Sequence, residues 1–153
     1  MTANNIGELK AILLKEADKA MRVASEKALA DMHEETGKFY TGKKPEMYVR
    51  TGALGDTPKT TANKKTITGR NSIEVSFDAY LDEKHKYTTG DFPSMDKVLE
   101  LANSGNQWIT KNGGKAKHTV GRRGFWERAE KKMEKDFNKT MRKFGNGIIK
   151  EGG

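Results

Sequence analysis

The 153-residue chain contains no cysteine, only three prolines and three histidines, and few aromatic residues (8%). Without cysteine it can hold neither a disulfide framework nor a thiolate zinc site. No stretch approaches the ~18 consecutive apolar residues of a membrane-spanning helix. The first residues also lack the basic and apolar segments of a signal peptide. These absences favour a protein that is made and kept in the cytoplasm unless it leaves as part of a larger assembly, with no membrane partner.

The usual parts of a catalytic or metal site are also scarce. The histidines, His33, His85 and His118, are far apart and follow no ligand spacing. No nucleophile elbow and no phosphate-binding lysine loop occurs. The segment Asp82-Glu83-x-His85 offers three donors to a divalent ion, but three such donors on one loop are more often solvated. The sequence therefore predicts no enzyme, no catalytic residue, no metal site and no cofactor.

Charge is abundant instead. Charged residues make up 33% of the chain and apolar residues 34%, and the formal net charge is +8 with a sequence pI of about 9.6. The length indicates a single domain, 1–153, and the low apolar content predicts a thin core. The charge is unevenly spread, because residues 1–36 carry 5 basic and 7 acidic groups whereas residues 121–153 carry 10 and 5.

Two segments concentrate the basic residues, 38–70 and 111–123, and the second contains no acidic residue. Such segments attract phosphate irrespective of sequence, although a solvated surface that keeps the protein soluble is the simpler interpretation. A basic nucleic-acid-binding module therefore remains an alternative, in which Trp108 could stack on a base. The candidate DNA-facing residues are Lys43, Lys44, Lys111, Lys115, Lys117, Arg122 and Arg123.

Apolar residues at spacings of three and four predict one long helix over 5–35, with leucines first and alanines later. Gly37 should end it. At 1.5 Å per residue the helix would span roughly 45 Å, so one end should project from a small domain. A second amphipathic helix is predicted over 124–145, with Gly145-Asn146-Gly147 as its stop, and its apolar face is better explained by core packing than by a partner.

Between the helices the pattern changes to strands. Ile73, Val75 and Phe77 alternate with polar residues, which predicts a strand with one buried face, and a turn near 69–72 makes a hairpin over 59–80. A short helix is predicted over 94–104, and Asn112-Gly113 suggests a weaker second hairpin. The expected fold is α+β, with an antiparallel sheet, a C-terminal helix packed on it, and extended loops at 38–57 and 106–123.

The loop after the first helix contains Tyr48-Val49-Arg50-Thr51-Gly52-Ala53-Leu54. Here Thr51 could cap a helix, Gly52 could adopt a positive φ, and Leu54 could reach the core. An ordinary loop-to-helix junction would need no more than this. The candidate signature and interface residues are Tyr48, Arg50, Thr51, Gly52 and Leu54. Among them Tyr48 could anchor the chain through its aromatic ring, and Arg50 could form a bidentate pair with a carboxylate.

The motif Arg50-Thr51-Gly52-x-Leu54, with an aromatic residue two positions earlier, resembles the signature of phage tail-completion (neck) proteins of the HK97 gene-product-10-like family. The order of predicted elements is similar along most of the chain. Gly124-Phe125-x-x-x-Ala129 also resembles the start of that family's last helix, although Arg123-Gly124 stands where a proline is common. The family's step after the hairpin is only weakly echoed, by Ala79-Tyr80 and by residues 101–105.

The resemblance implies a structural virion protein rather than an enzyme. Several copies would form a ring around the DNA channel at the head–tail interface, in contact with connector, adaptor or stopper proteins on one side and tail-tube or tail-terminator proteins on the other. The basic loops would lie near genomic DNA without reading its sequence. The protein would be found in the virion, in the neck or at the top of the tail, and in the host cytoplasm during assembly. A tail-terminator role belongs to the same class.

Overall fold

The computed structural model of the protein describes residues 3–41, 52–61, 64–67, 73–82, 95–104, 108–109, 115–116 and 121–151. Within these residues the fold is α+β, as predicted. The helices are α1 (Ile6–Phe39), α2 (Met95–Ser104) and α3 (Phe125–Glu151), with a 3₁₀ helix at Ala53–Asp56. The strands are β1 (Pro58–Thr60), β2 (Lys64–Ile67), β3 (Ile73–Ser76), β4 (Ala79–Leu81), β5 (Trp108–Ile109) and β6 (Lys115–Ala116). None of these helices is long and apolar enough to cross a membrane.

Helices α1 and α3 lie side by side and run antiparallel. Glu35 of α1 pairs with Arg128 of α3. One turn earlier in α1, Asp31 pairs with Lys132, which lies one turn later in α3. Ala20, Ala24 and Ala28 of α1 are buried, and small side chains let two helices approach closely. The helix predicted to pack on the sheet therefore packs mainly on α1, and it reaches the hairpin where the rings of Phe77 and Phe137 lie 6.4 Å apart.

The N-terminal end of α1 projects, as its length suggested. Asn5 caps the helix, and its side chain accepts a hydrogen bond from the amide of Glu8 at 2.9 Å. When this pairing of positions is continued along both helices, the first turn of α1 lies beyond the end of α3. Accordingly Ile6 is 73% exposed, Leu9 47% and Leu13 41%. The leucine half of the predicted apolar face is thus largely uncovered.

The prediction that Gly37 ends α1 is wrong, because the helix continues to Phe39. Phe39 is buried in the core. Just before Gly37, the hydroxyl of the buried Thr36 donates to the carbonyl of Met32 within the same helix. A glycine inside a helix costs about 1 kcal/mol relative to alanine. Burial of a phenylalanine side chain contributes about 1.5–3 kcal/mol, so the helix is extended through the glycine.

The prediction that Gly145-Asn146-Gly147 ends the last helix is also wrong, since α3 continues to Glu151. Two interior glycines cost about 2 kcal/mol together. Propagating a helix that already exists avoids the unfavourable nucleation step. The preceding turns of α3 are also packed, because the side chain of Thr140 is buried and that of Phe144 is half-buried.

The predicted hairpin over 59–80 is present and consists of two consecutive ladders. β2 pairs antiparallel with β3, with Ile67 opposite Ile73, and β1 pairs with β4, with Pro58 opposite Leu81. The first arm contains one residue more than the second between the two ladders, so the register shifts by one residue there. At this shift the amide of Thr61 donates to the carbonyl of Asp78, whose amide donates back to the hydroxyl of Thr61, both at 2.9 Å.

The segments predicted as extended loops are partly ordered into helix and strand. In 38–57, Lys38 and Phe39 belong to α1 and Ala53–Asp56 forms the 3₁₀ helix. In 106–123, β5 pairs antiparallel with β6, which confirms the weaker hairpin, although its turn at Asn112-Gly113 lies outside the described residues. The loop assignments are therefore corrected at these positions.

Candidate docking site around Gly52 and Leu54

The second half of the signature motif forms a tight helical step. Gly52 has φ of 80°, in the left-handed region that favours glycine, and it is the N-cap of the 3₁₀ helix without any side-chain cap bond. Thr51, for which a capping role was predicted, lies outside the described residues. The amide of Gly55 closes the turn on the carbonyl of Gly52 at 2.8 Å. Leu54 is buried, as predicted.

Two hydrogen bonds attach this step to the C-terminal half of α1, and a third closes it on Thr57, just before β1. The amide of Leu54 donates to the hydroxyl of Tyr40 at 3.0 Å, and the Nδ1–H of His33 donates to the carbonyl of Gly55 at 3.0 Å. The hydroxyl of the buried Thr57 donates to the carbonyl of Leu54 at 2.8 Å. The C-terminal end of α1 thus fixes the position of the signature.

Below the step lies the hydrophobic core of the described chain. Five buried side chains come from the end of α1, the 3₁₀ helix, α2 and the start of α3, and the ring of Phe39 meets those of Tyr40 and Phe125 edge to face. This core therefore joins four elements that are distant in sequence. Its members are Phe39, Leu54, Leu99, Ala102 and Phe125.

The segment before α3 passes close to the same core. The amide of Arg122 donates to the carbonyl of Phe39 at 3.2 Å. A Cβ on Gly121 would lie 2.4 Å from the ring of Phe39, so only glycine fits there without a shift. Gly124 has φ of 67°, and its amide donates to the carbonyl of Asn103 at 2.9 Å. Gly124 therefore turns the chain into α3.

Asn103, at the end of α2, holds the first turn of α3. Its Oδ1 accepts from the amide of Trp126 at 2.9 Å, and its Nδ2 donates to both carboxylate oxygens of Glu127 at 2.8 and 2.9 Å. The backbone hydrogen bond at Glu127 and the amide of Asn103 lower the pKa of the Glu127 carboxyl. Asn103 therefore acts as a side-chain cap supplied by another helix.

An open cleft of about 340 Å³ lies between β4, α2 and the start of α3. Its wall is mostly apolar, with Glu100 at the margin. The cleft shares Leu99 and Phe125 with the core below the signature, so the two features are parts of one region. Its other lining residues are Tyr80, Leu81, Asn103 and Trp126.

Ion pairs between α1 and α3 stabilise one side of the region around the core and the cleft. The carboxylate of the buried Glu35 accepts from Lys38 at 2.5 Å and from Arg128 at 2.7 Å. Burial raises the pKa of Glu35, but these two donors outweigh it and the net pKa is lowered. Hydrogen bonds from Lys132 and Lys38 lower the pKa of the exposed Glu34 to about 2.

Asp31 behaves differently from its two neighbours. Burial raises its pKa, and the ion pair with Lys132 at 3.3 Å only partly opposes this effect. Among the described residues, Oδ2 of Asp31 and one terminal nitrogen of Arg128 have no hydrogen-bond partner. The ion-pair network between α1 and α3 is therefore incompletely satisfied within the described part of the chain.

The structure reaches only part of the predicted signature. Gly52 and Leu54 occupy the step described above, whereas Tyr48, Arg50 and Thr51 lie outside the described residues. Their roles stay predictions. Sequence reasoning missed Tyr40 and Asn103, which hold the region together. An amide-bearing residue near the end of a short helix is the one weak signal that could have indicated Asn103.

The candidate DNA-facing residues are only partly described. Arg122 and Arg123 are exposed just before α3, and the carbonyl of Arg123 accepts from the guanidinium of Arg128. Lys115 lies in β6, and Trp108 lies opposite Ala116 in β5, but the directions of the Lys115 and Trp108 side chains are outside the description. The remaining four, Lys43, Lys44, Lys111 and Lys117, lie outside the described residues.

No group of three His, Asp or Glu side chains among the described residues could hold a metal ion. Asp82 lies just after β4, where its amide donates to the carbonyl of Thr57 at 2.7 Å. Its proposed co-ligands Glu83 and His85 lie outside the described residues, so the metal hypothesis is untested.

Comparison with known proteins identifies a family relationship. The sequence matches the YomN family over residues 5–150, which is nearly the whole chain. No curated protein and no solved structure matches it. The family is phage-associated. The region around Gly52 and Leu54 therefore belongs to a phage-associated protein, and the chain is a member of the YomN family.

Proposed function

We propose that this protein is a structural component of the head–tail interface of a long-tailed phage or phage-like particle. In this role several copies form a ring around the DNA channel, between the connector-side proteins and the tail-tube or tail-terminator proteins. The protein performs no catalysis. Its work is to present fixed surfaces that neighbouring subunits cover in order.

The observation that carries the proposal is the Gly52–Leu54 step. The resemblance to tail-completion proteins depends on a glycine followed two residues later by a leucine. In this protein each of the two residues has a specific structural role. Gly52 takes a positive φ, and Leu54 enters the core while its amide is held by Tyr40. The phage association of the YomN family adds independent support.

The projecting end of α1 also supports an assembly role. Ile6, Leu9 and Leu13 together expose an apolar patch at the N-terminal end of α1. Such patches on soluble chains commonly mark protein–protein contacts. Three side chains are too few for a stable two-chain interface, which buries about 800 Å² per partner. We therefore assign the patch to a neighbouring copy in a ring, where further contacts add to it.

The alternative function is that of a basic nucleic-acid-binding module that works outside any particle. The exposed Arg122 and Arg123, together with the net charge of +8, favour it. The two functions predict different fates for the protein. A neck component stays with purified particles, whereas a free nucleic-acid-binding module is left in the soluble fraction.

The test is deletion of the gene in the source phage, followed by electron microscopy of the lysate. The proposal predicts separate DNA-filled heads and separate tails, and joined particles once the wild-type gene is restored. Normally joined particles in the deletion strain would overturn it.

A matched pair of variants then tests the projecting patch. Ile6→Ser/Leu9→Ser should keep the helical circular-dichroism signal, because both side chains are exposed, but should fail to restore joining. Val23→Ser changes another exposed apolar residue of α1, 37% exposed, and should restore joining fully. Equal restoration by both variants would remove the patch from the interface.

A further inference from the structure

The two halves of α3 differ in charge. Residues 125–136 contain four acidic and four basic side chains, whereas residues 137–150 contain four basic side chains and no acidic one. The uncompensated basic half is helical, so its side chains are held at fixed spacings. A solvated helix face usually mixes both signs, and this half departs from that pattern.

Four basic side chains of α3, on either side of its midpoint, are exposed and have no ion-pair partner among the described residues. Lys135, Lys139, Arg142 and Lys143 are all exposed, and none forms an ion pair with any carboxylate that the structure describes. The basic residues of α1 provide a contrast. Arg22 pairs with Asp18, and similar pairs hold Lys19 and Lys38. Three cations of α1 and two in the first half of α3 are therefore neutralised by described carboxylates, whereas these four cations are not.

The spacing places the four cations along one outward surface. Lys135, Lys139 and Lys143 follow each other at four-residue intervals, and Arg142 lies three residues after Lys139. Residues three and four apart are neighbours on a helix surface. The four span about 12 Å along the axis, a length that matches three to four phosphates of one duplex strand at about 3.4 Å each.

We propose that this surface, Lys135, Lys139, Arg142 and Lys143, binds the phosphate backbone of DNA without reading its sequence. From Lys135 to Asn146, the part of this surface whose exposure the structure describes, the exposed residues are the four cations and two asparagines. A membrane-surface helix would need a free apolar face, and that face of α3 is directed to α1 and the hairpin. A protein partner would need aromatic or aliphatic anchors, and the surface offers none. A polyanion needs only the cations.

This surface differs from the predicted one. Arg122 and Arg123 precede the first turn of α3, whereas the four cations lie between Lys135 and Lys143, so the two basic regions are separated along the helix. This DNA-binding surface deepens the proposed function, because a subunit that surrounds a DNA channel would lie close to DNA. The biological role of the surface rests on that proposed function. Binding by the purified chain can nevertheless be measured independently of particles.

The experiment measures the affinity of the purified full chain for a duplex of arbitrary sequence across a series of salt concentrations. The quadruple variant Lys135→Gln/Lys139→Gln/Arg142→Gln/Lys143→Gln is compared with the control Lys15→Gln/Lys19→Gln/Arg22→Gln/Lys27→Gln. Both variants remove four positive charges from exposed helical positions. Glutamine keeps good helix propensity, and circular dichroism verifies the fold. A double variant, Lys139→Gln/Lys143→Gln, carries the test should the quadruple variant unfold.

Each lost phosphate contact lowers the salt slope of log affinity by about 0.9. The proposal predicts a slope lower by about three to four for the α3 variant, by about two for the double variant, and by much less for the α1 control. Equal losses in both quadruple variants would show that only net charge matters and would overturn the proposal. A loss confined to Arg122→Gln/Arg123→Gln, or binding to anionic vesicles but not to DNA, would overturn it as well.

These outcomes are separable from the fate of the proposed function. A chain that joins heads to tails but shows no α3-dependent binding keeps its neck role and loses this surface. A chain that binds DNA through α3 but is missing from particles keeps the surface and loses the neck role.

Discussion

The amide of Leu54 donates a hydrogen bond to the hydroxyl of Tyr40 at 3.0 Å, across fourteen residues of sequence. Tyr40 is the residue that follows the last turn of α1, and its ring meets that of Phe39 edge to face. One side chain thus ties the end of the longest helix to the backbone of the signature step. The position of the signature therefore depends on where α1 ends.

Tyr40→Phe should lower the free energy of unfolding by about 1–2 kcal/mol, because it leaves the partly buried amide of Leu54 without its acceptor. The measurement is urea unfolding followed by circular dichroism. Tyr80→Phe is the matched control, since Tyr80 is 43% exposed and should be close to neutral. Equal stability of both variants would mean that the hydrogen bond does not hold the step.

Gly52→Ala should destabilise the protein by about 1–2 kcal/mol, since an L-residue is strained at φ of 80°. Gly55→Ala, three residues later, meets no atom within 4 Å of the new Cβ and has no positive φ. It should be neutral or slightly stabilising. Thermal unfolding of the two variants gives the comparison, and a stable Gly52→Ala protein would contradict the described backbone.

Gly121→Ala should cost about 1–3 kcal/mol, because its Cβ would lie 2.4 Å from the Phe39 ring, which the core prevents from moving freely. Gly37→Ala is the control. It lies in the helix interior with open space around it, and alanine should stabilise it by about 0.5–1 kcal/mol. The prediction fails if both substitutions change stability in the same direction.

The stability of the protein should fall in acid through Glu34 and Glu35. The pKa of Glu34 is lowered from 4.5 to about 2 by hydrogen bonds from Lys132 and Lys38, and the net pKa of Glu35 is also lowered. A carboxyl with a lowered folded-state pKa contributes stability above its unfolded pKa and loses it as the pH falls. Glu34→Gln/Glu35→Gln should therefore show a smaller loss of unfolding free energy between pH 4.5 and 2 than the wild type.

Asp31 should act in the opposite direction, which provides an internal check. Burial raises its pKa above 3.8, so the folded state takes up a proton more readily than the unfolded state. In the wild type this uptake partly offsets the acid loss due to Glu34 and Glu35. Asp31→Asn should thus lose stability more steeply with falling pH than the wild type. A shallower profile would contradict the described burial of Asp31.

Much of the fold could be predicted because its signals are local. The alternation at Ile73, Val75 and Phe77 predicted the hairpin, and Gly52 with Leu54 predicted a glycine-dependent step into the core. Each of these follows from the conformational freedom of one residue or from a period of two. The long α1 and its projecting end followed from the spacing of its apolar residues and from length alone.

The errors arise where distant contacts outweigh local preference. Gly37 should end a helix in isolation, but burial of Phe39 extends α1 beyond it. The Asn103 cap on α3 joins residues more than twenty positions apart, and no local pattern shows that they meet. The four cations of α3 were visible in the sequence, but only the structure shows that Lys19 and Arg22 of α1 are paired and that these four have no partner among the described carboxylates.

The most direct test of the head–tail assignment is quantitative mass spectrometry of purified particles from the source. It counts copies of this chain against a tail-tube subunit in the same sample. The account predicts a fixed, low copy number that corresponds to one ring per tail. Absence of the chain from stable particles, or an amount that varies between preparations, would contradict it.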